Sequence, residues 1–271
     1  MRRVFIPKPD GSQRPLGVPT VLDRVIQQAI AQILTPLYDG NFSQHSYGFR
    51  SGRNAHQAVH EMEVAWKQKL RHAVDCDLKA FFDTVNHDRL LTQLREKIGG
   101  GKLLRLIGRY LRAGVDLPDG SREDTPLGVP QGGPLSPLLA NIVLDPLDKE
   151  LERRGHSFAR YADDFLIFVQ SAKAAQRVMR SVMDYVEKKL GLTVNRTKSR
   201  SGKLAECTLP PLRCALRAAC RLAVSLRSAP RVPNQCPWKS EMERESPPAV
   251  QTAREGYNQT QPWTECAASH R

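Results

Sequence analysis

Two aspartates, Asp163 and Asp164, stand side by side between a tyrosine and an apolar run. Residues 158–161 predict one strand and residues 165–169 predict its return strand, so the two carboxylates lie at the tip of a β-hairpin. Aspartate is common in turns because its side chain hydrogen-bonds to the nearby backbone. The pair therefore has an ordinary structural interpretation as well as a chemical one.

A second pair of carboxylates favours the chemical interpretation. Apolar and polar side chains alternate over residues 73–78, the period of a β-strand, and Asp75 and Asp77 share one face. If this strand lies beside the hairpin in one sheet, Asp77 and Asp163 converge on a possible metal site. Carboxylate oxygens suit Mg²⁺, which takes one or two protein carboxylates together with substrate phosphates. Two such ions about 3.5 to 4 Å apart promote phosphoryl transfer.

Helices are predicted around these strands. Ser136 is placed as the N-cap of a long helix, with Pro137 at the first helical position. Strand 165–169 is apolar on both faces and is expected inside a layered sheet. The loop 38–54, rich in Gly, Ser, Asn and aromatic residues, is predicted to bind a partner. Apolar residues recur at helical spacing over 20–37, 55–66, 90–98, 103–111 and 172–190.

Charge indicates the class of partner. The chain has 41 Lys and Arg against 28 Asp and Glu, a net charge of +13, which favours a nucleic-acid partner. The alternative is surplus charge that serves solubility alone. No long apolar run or signal-like segment is evident, so no membrane partner and a cytoplasmic location are expected.

Three segments carry a family resemblance. YADD at 161–164, DLKAFFDTVNH at 77–87 and GVPQGGPLSPLLANIVL at 128–144 resemble the palm motifs of reverse transcriptases, most closely those encoded by bacterial group II introns, which also act as maturases. KPDGSQRPLGVPTVLDRVIQQAI, SYGFRSGRNAHQA and LGLTVNRTKS look like the family's fingers and late-palm segments, in the family's order. The resemblance covers roughly residues 3–200.

The resemblance implies a fold and a reaction. The fold is mixed α/β, the fingers and palm of a right-hand polymerase, with an antiparallel palm sheet backed by helices. Fingers are expected over 1–71 and the palm over 72–202, with a fingers insertion near 90–124. The implied reaction adds deoxynucleotides to a DNA primer on an RNA template, and intron RNA is a further expected partner.

Matching positions imply the metal site. Asp77 and Asp163 correspond to the family's metal-binding pair, and Asp164 to a third, more peripheral carboxylate. Two Mg²⁺ ions and a deoxynucleoside triphosphate are the implied cofactor and substrate. The residues and the resemblance thus predict the same site by separate routes.

The resemblance also implies a nucleotide site. Phe82 falls at the family's steric gate, where a ring beneath the sugar crowds a 2′-hydroxyl. Arg14 is placed to neutralise the triphosphate with a planar, permanently charged group. The other positions matched to nucleotide binding are Lys8, Gln131, Gly132 and Lys198. The alternative for Gln131 and Gly132 is an ordinary segment that leads into the following helix. The alternative for Lys198 is a solvent-exposed lysine at the end of a strand.

Three residues of the loop are expected to contact the template. Tyr47, Phe49 and Arg50 offer aromatic and guanidinium planes of the kind that stack on bases, although Phe49 has a core position as its alternative.

The resemblance stops near residue 202. Family members continue into an FLGF-like primer-grip segment and a helical thumb, whereas residues 203–271 are rich in Pro and Cys and are predicted to be a disordered tail, with a frameshift as the hypothesis for its origin. An absent thumb leaves two alternatives to the polymerase open. One is a non-catalytic intron RNA-binding protein, and the other is an inactive decayed fragment.

Overall fold

An antiparallel sheet of four strands forms the centre of the protein. The computed structural model describes residues 1–7, 11 and 13–204 of the 271. The strands are β1 (Arg2–Pro7), β2 (Gln13–Val18), β3 (His72–Cys76), β4 (Val115–Asp116), β5 (Arg122–Glu123), β6 (Ser157–Tyr161), β7 (Asp164–Val169) and β8 (Arg200–Lys203). The helices are α1 (Val21–Asp39), α2 (Ala55–Lys67), α3 (Phe81–Thr84), α4 (His87–Arg95), α5 (Gly101–Leu111), α6 (Ser136–Arg153) and α7 (Ala172–Tyr185), which continues into a π-helical turn, Val186–Leu190.

The central sheet has the order β6, β7, β3, β8, and all its neighbours are antiparallel. Alternation along β7 explains why it is interior: Phe165 and Ile167 belong to the large core that includes α6, whereas Leu166 and Phe168 pack with residues of α2. Both faces of the strand are therefore covered. The predicted mixed α/β fold with an antiparallel sheet backed by helices is confirmed.

A second sheet, the N-terminal sheet, has the order β2, β1, β4, β5. Strands β1 and β2 form an antiparallel pair, and Arg2 of β1 lies beside Asp116 of β4 in parallel. Residues 115–123 thus return to the start of the chain, within the stretch expected to contain a fingers insertion. Helix α4, which lies at the start of that stretch, packs against α6.

Two local expectations need correction. Helix α6 already includes Ser136, which was expected as its N-cap, and the Ser136 hydroxyl donates to Pro130 O at 2.5 Å. The sheet also extends one residue beyond the predicted boundary, because β8 pairs with β3 as far as Lys203. The remainder of the tail, 205–271, lies outside the described residues.

No helix in the part of the chain that the structure describes combines the length and apolar character needed to cross a membrane.

Cys76 gives a direct test of this packing. The residue is 1% exposed, and burial, helped by the nearby Asp75 charge, raises the pKa of its thiol to about 12. Because the thiolate is the reactive species, iodoacetamide at pH 8 is expected to alkylate Cys76 about 100-fold more slowly in the folded protein than in urea. Mass spectrometry of the peptide that contains Cys76 measures both rates, and equal rates would contradict the packing of β3.

Candidate active site

The register of the central sheet brings the predicted carboxylates together. Cys76, the last residue of β3, lies opposite Phe165 of β7. The residue that follows β3, Asp77, therefore lies beside Asp164. Tyr161 pairs with Asp164, which leaves a two-residue loop with Asp163 in second place. Adjacent strands lie about 4.8 Å apart. Asp77 and the hairpin tip therefore occupy the same end of neighbouring strands.

The late segment before β8 holds the main chain of Asp77. The Asp77 N–H donates to Ser199 Oγ at 3.0 Å, and its carbonyl accepts from the Asn195 N–H at 2.8 Å. The exposed Lys198 belongs to the same turn, where its N–H donates to Asn195 O at 3.2 Å. Lys198 and Asp77 are thus brought together across a long stretch of sequence.

The donor chemistry of the site fits a hard cation. Asp77, Asp163 and Asp164 are all half-buried and present carboxylate oxygens. Within residues 1–7, 11 and 13–204, no three or more His, Cys, Asp or Glu side chains are gathered closely enough to hold a metal by themselves. A pair of carboxylates that leaves the remaining positions to water and substrate phosphate is the arrangement Mg²⁺ takes in enzymes of phosphoryl transfer.

The segment after Asp77 is joined to the loop before α6. The Val129 N–H donates to Phe82 O at 2.6 Å, and the Gly128 N–H donates to Val85 O at 2.8 Å. Nε2 of the buried His87 lies 2.7 Å from Gly128 O, so this nitrogen carries the proton and donates. These bonds fix the half-buried Phe82 against the loop that carries Gln131.

The same loop reaches the N-terminal sheet. The Gly17 N–H of β2 donates to Gln131 O at 2.8 Å. Gly132 has φ of 113° and a Cβ there would lie 2.9 Å from Gly17 O, so only glycine fits this close approach. Arg14 is another residue of β2, and Lys8 lies outside the described residues. The loop before α6 thus links β2 to the segment that follows Asp77.

Comparison with known proteins decides the family. The model of the reverse transcriptase (RNA-dependent DNA polymerase) family matches residues 6–210. The chain belongs to this family. Reverse transcriptases are in general dependent on divalent metal ions, in agreement with the donor chemistry at Asp77 and the hairpin tip.

Two curated relatives are similar to this chain. Protein YkfC of Escherichia coli is 32% identical over 238 residues, covering 73% of this chain and 62% of YkfC. The group II intron-encoded protein LtrA of Lactococcus lactis is 40% identical over 150 residues, covering 55% of this chain and 25% of LtrA. The chain is thus similar to a group II intron-encoded protein over part of its length, and it spans less than two thirds of the length of either relative.

A solved structure supports the fold alone. Telomerase from Candida tropicalis, in complex with a fragment of telomeric RNA, superposes with a TM-score of 0.55 at 16% identity. The similarity covers 74% of this chain and 40% of that chain.

Two of the three side chains predicted to contact the template are buried. Tyr47 is 3% exposed and its hydroxyl donates to Glu61 at 2.8 Å, and burial, the largest cause, raises the Tyr47 pKa. The Arg50 side chain is 4% exposed and its Nε donates to Asp39 at 2.7 Å. Neither side chain presents a free plane to a base, because Tyr47 packs against α2 and the central sheet and Arg50 hydrogen-bonds within the loop. Phe49 is 49% exposed and remains available.

Sequence reasoning missed one buried residue of the reverse transcriptase site. Arg160 immediately precedes Tyr161 and is 0% exposed. A signal was present in the sequence, because strand alternation places Arg160 on the same face as the core residue Phe158. A charged side chain on an apolar face requires a buried partner.

Proposed function

We propose that this chain is an RNA-directed DNA polymerase that extends a DNA primer on an RNA template. In the reaction, the primer 3′-hydroxyl attacks the α-phosphate of a deoxynucleoside triphosphate and pyrophosphate leaves. The observation that carries the proposal is the register of the central sheet, which aligns Asp77 with the hairpin tip at Asp163 and Asp164. Membership of the reverse transcriptase family supports it.

The carboxylates are assigned to metal binding. Asp77 and Asp163 would hold two Mg²⁺, with Asp164 peripheral, and bound ions of this kind activate the attacking hydroxyl and neutralise the leaving phosphate. The chain's own contribution is to fix the ligands. Ser199 and Asn195 hold the main chain of Asp77 through two hydrogen bonds.

The nucleotide is assigned to the space between Phe82 and the loop of Gln131. The Phe82 ring supplies a wall for the sugar, and its main chain is held to that loop by the 2.6 Å bond from Val129. Gly132 lets the backbone approach the nucleotide closely, since it carries no β-carbon. Arg14 and Lys198 are assigned to the triphosphate, as the family resemblance implies.

The nucleic acid is assigned to the positive surface of the chain. A net charge of +13 favours a polyanion through release of counterions from its phosphates. The exposed ring of Phe49 follows Gly48, which packs on the hairpin loop, and this ring is assigned to stacking on a template base. Intron RNA is the proposed native partner, and the reaction is proposed to take place in the cytoplasm.

Single-nucleotide primer extension tests the proposal. The full chain is incubated with a DNA primer annealed to an RNA template, Mg²⁺ and one deoxynucleotide. A product one nucleotide longer is expected only with the complementary deoxynucleotide, and EDTA is expected to abolish it. Salt-sensitive RNA binding without any extension would overturn the proposal in favour of a non-catalytic RNA-binding protein.

Phe82→Ala is expected to weaken sugar discrimination. Removing the ring opens space for a 2′-hydroxyl, so the ratio of ribonucleotide to deoxynucleotide kcat/KM should rise about 10- to 100-fold. Phe82→Tyr retains the ring and is the matched control, with discrimination near that of the wild type. An unchanged ratio in Phe82→Ala would remove Phe82 from the nucleotide site.

A further inference from the structure

A buried ion pair lies beneath the hairpin tip. Arg160 of β6 and Asp148 of α6 have fully buried side chains. Arg160 Nε donates to Asp148 Oδ1 at 2.8 Å and Nη2 donates to Oδ2 at 2.6 Å. Burial raises the pKa of the Asp148 carboxyl, and the Arg160 guanidinium opposes that shift. Such a pair contributes little more stability than well-packed apolar residues, so its presence calls for a further role.

The other edge of the guanidinium reaches the hairpin loop. Arg160 Nη1 donates to Ala162 O at 2.8 Å and to Asn141 Oδ1 at 2.9 Å. The Asn141 amide then donates to Gly48 O at 3.0 Å. Gly48 in turn packs on the loop, since a Cβ at Gly48 would overlap the Ala162 nitrogen and lie 2.9 Å from its Cα. Asn141 thus joins two groups that both contact Ala162.

The main chain of Arg160 is held as firmly as its side chain. Its N–H donates to His45 O at 2.8 Å, and its carbonyl accepts from the Tyr47 N–H at 2.8 Å. These bonds attach the segment before Gly48 to the outer edge of β6. The outer edge of the hairpin is therefore covered at Arg160, the residue whose guanidinium is buried.

The conformation of Ala162 explains what the contacts do. Its φ is 59°, in the left-handed region that residues with a β-carbon disfavour. Such a residue keeps this conformation only when its surroundings hold it there. The next residue, Asp163, leaves the backbone in a direction that the Ala162 conformation sets.

We propose that Arg160, Asp148 and Asn141 are positioning residues, which hold Ala162 in the left-handed conformation and thereby aim the Asp163 carboxylate at the metal site. The inference rests on the proposed role of Asp163. None of the three residues touches the substrate, and they act through the main chain of Ala162. The set is called the Arg160 network below.

Asn141→Ala is the decisive variant, because it breaks the link to Gly48 and leaves the Arg160 and Asp148 charges paired. It is expected to lower kcat about 10- to 100-fold, the effect of misplacing a reacting group by about 1 Å, with an unchanged Kd for RNA. Gln176→Ala is the control, since Gln176 is exposed on α7 and belongs neither to the Arg160 network nor to the proposed site.

Rescue distinguishes positioning from simple support of the fold. Glycine adopts positive φ without the penalty of a β-carbon, so Ala162→Gly needs less help from the Arg160 network. The double variant Asn141→Ala/Ala162→Gly is expected to regain about 10-fold in kcat over Asn141→Ala. Loss of kcat in Asn141→Ala without any recovery in the double variant would assign the network to stability alone.

Hydrogen exchange provides a measurement that needs neither metal nor nucleotide. In Asn141→Ala, the amides of residues 158–169 are expected to exchange about 10-fold faster than in the wild type, whereas Gln176→Ala leaves them unchanged. Wild-type kcat and wild-type exchange in folded Asn141→Ala would overturn the inference and leave the polymerase proposal intact. If the wild type does not extend a primer, the polymerase proposal fails. In that case, unchanged hydrogen exchange in Asn141→Ala overturns the proposed role of the Arg160 network.

Discussion

Asp163→Asn is expected to reduce single-nucleotide extension by at least about 1,000-fold, because a carboxylate that holds Mg²⁺ supplies several kcal/mol of transition-state stabilisation. The amide keeps the size of the side chain and removes its charge. Binding of RNA is expected to stay equal or become slightly tighter, because one negative charge facing a polyanion is lost. Primer extension and a filter-binding titration on the same preparation measure the two effects.

The control for this variant is Asp184→Asn. Asp184 lies on the exposed side of α7, where it pairs with Lys188 at 3.4 Å, and it belongs to no part of the proposed site. Wild-type extension is expected from it. Extension by Asp163→Asn at the wild-type rate would remove Asp163 from the metal site, whatever its RNA affinity.

Gly48→Ala is expected to be the most damaging single-methyl substitution in this part of the molecule. The added Cβ would overlap the Ala162 nitrogen, and both partners are backbone that cannot move aside alone. The overlap should cost about 2 to 3 kcal/mol of the free energy of unfolding. Because relief of the overlap displaces the loop of Asp163, extension should fall about 100-fold in the protein that remains folded.

Urea denaturation and kcat on the same variant separate these two effects. Gly40→Ala is the matched control, because Gly40 has φ of −64° and no atom within 4 Å of an added Cβ. It is expected to unfold at or slightly above the wild-type urea midpoint. A Gly48→Ala protein with wild-type midpoint and kcat would show that the contact with Ala162 is not rigid.

Local periodicity was sufficient to predict three of the four strands of the central sheet. Alternation over 73–78 and the two apolar strands around the double aspartate predicted β3, β6 and β7, and their register brings Asp77 to the hairpin tip. The motifs then predicted the family, which the match over residues 6–210 confirms. The roles of the individual site residues stay predictions.

The loop 38–54 shows where the sequence misleads. Its polarity and glycines predicted a loop that binds a partner, and in the structure much of that polarity is used internally, with Arg50 donating to Ser43 O at 2.6 Å and to Asp39. Amino-acid composition does not show that the polar groups of a loop form hydrogen bonds within the loop and with the edge of β6. Arg160 was missed for a related reason, since its partner Asp148 lies on another element.

The position of β3 in the central sheet has a consequence for synthesis on the ribosome. Its neighbours are β7 and β8, and both follow it at a long distance in the sequence. Strand β3 therefore emerges from the exit tunnel long before either partner exists, and pairings of such high contact order form slowly. A nascent chain halted after α6 would contain Asp77 without the strands that align it, with apolar strand residues awaiting protection by chaperones.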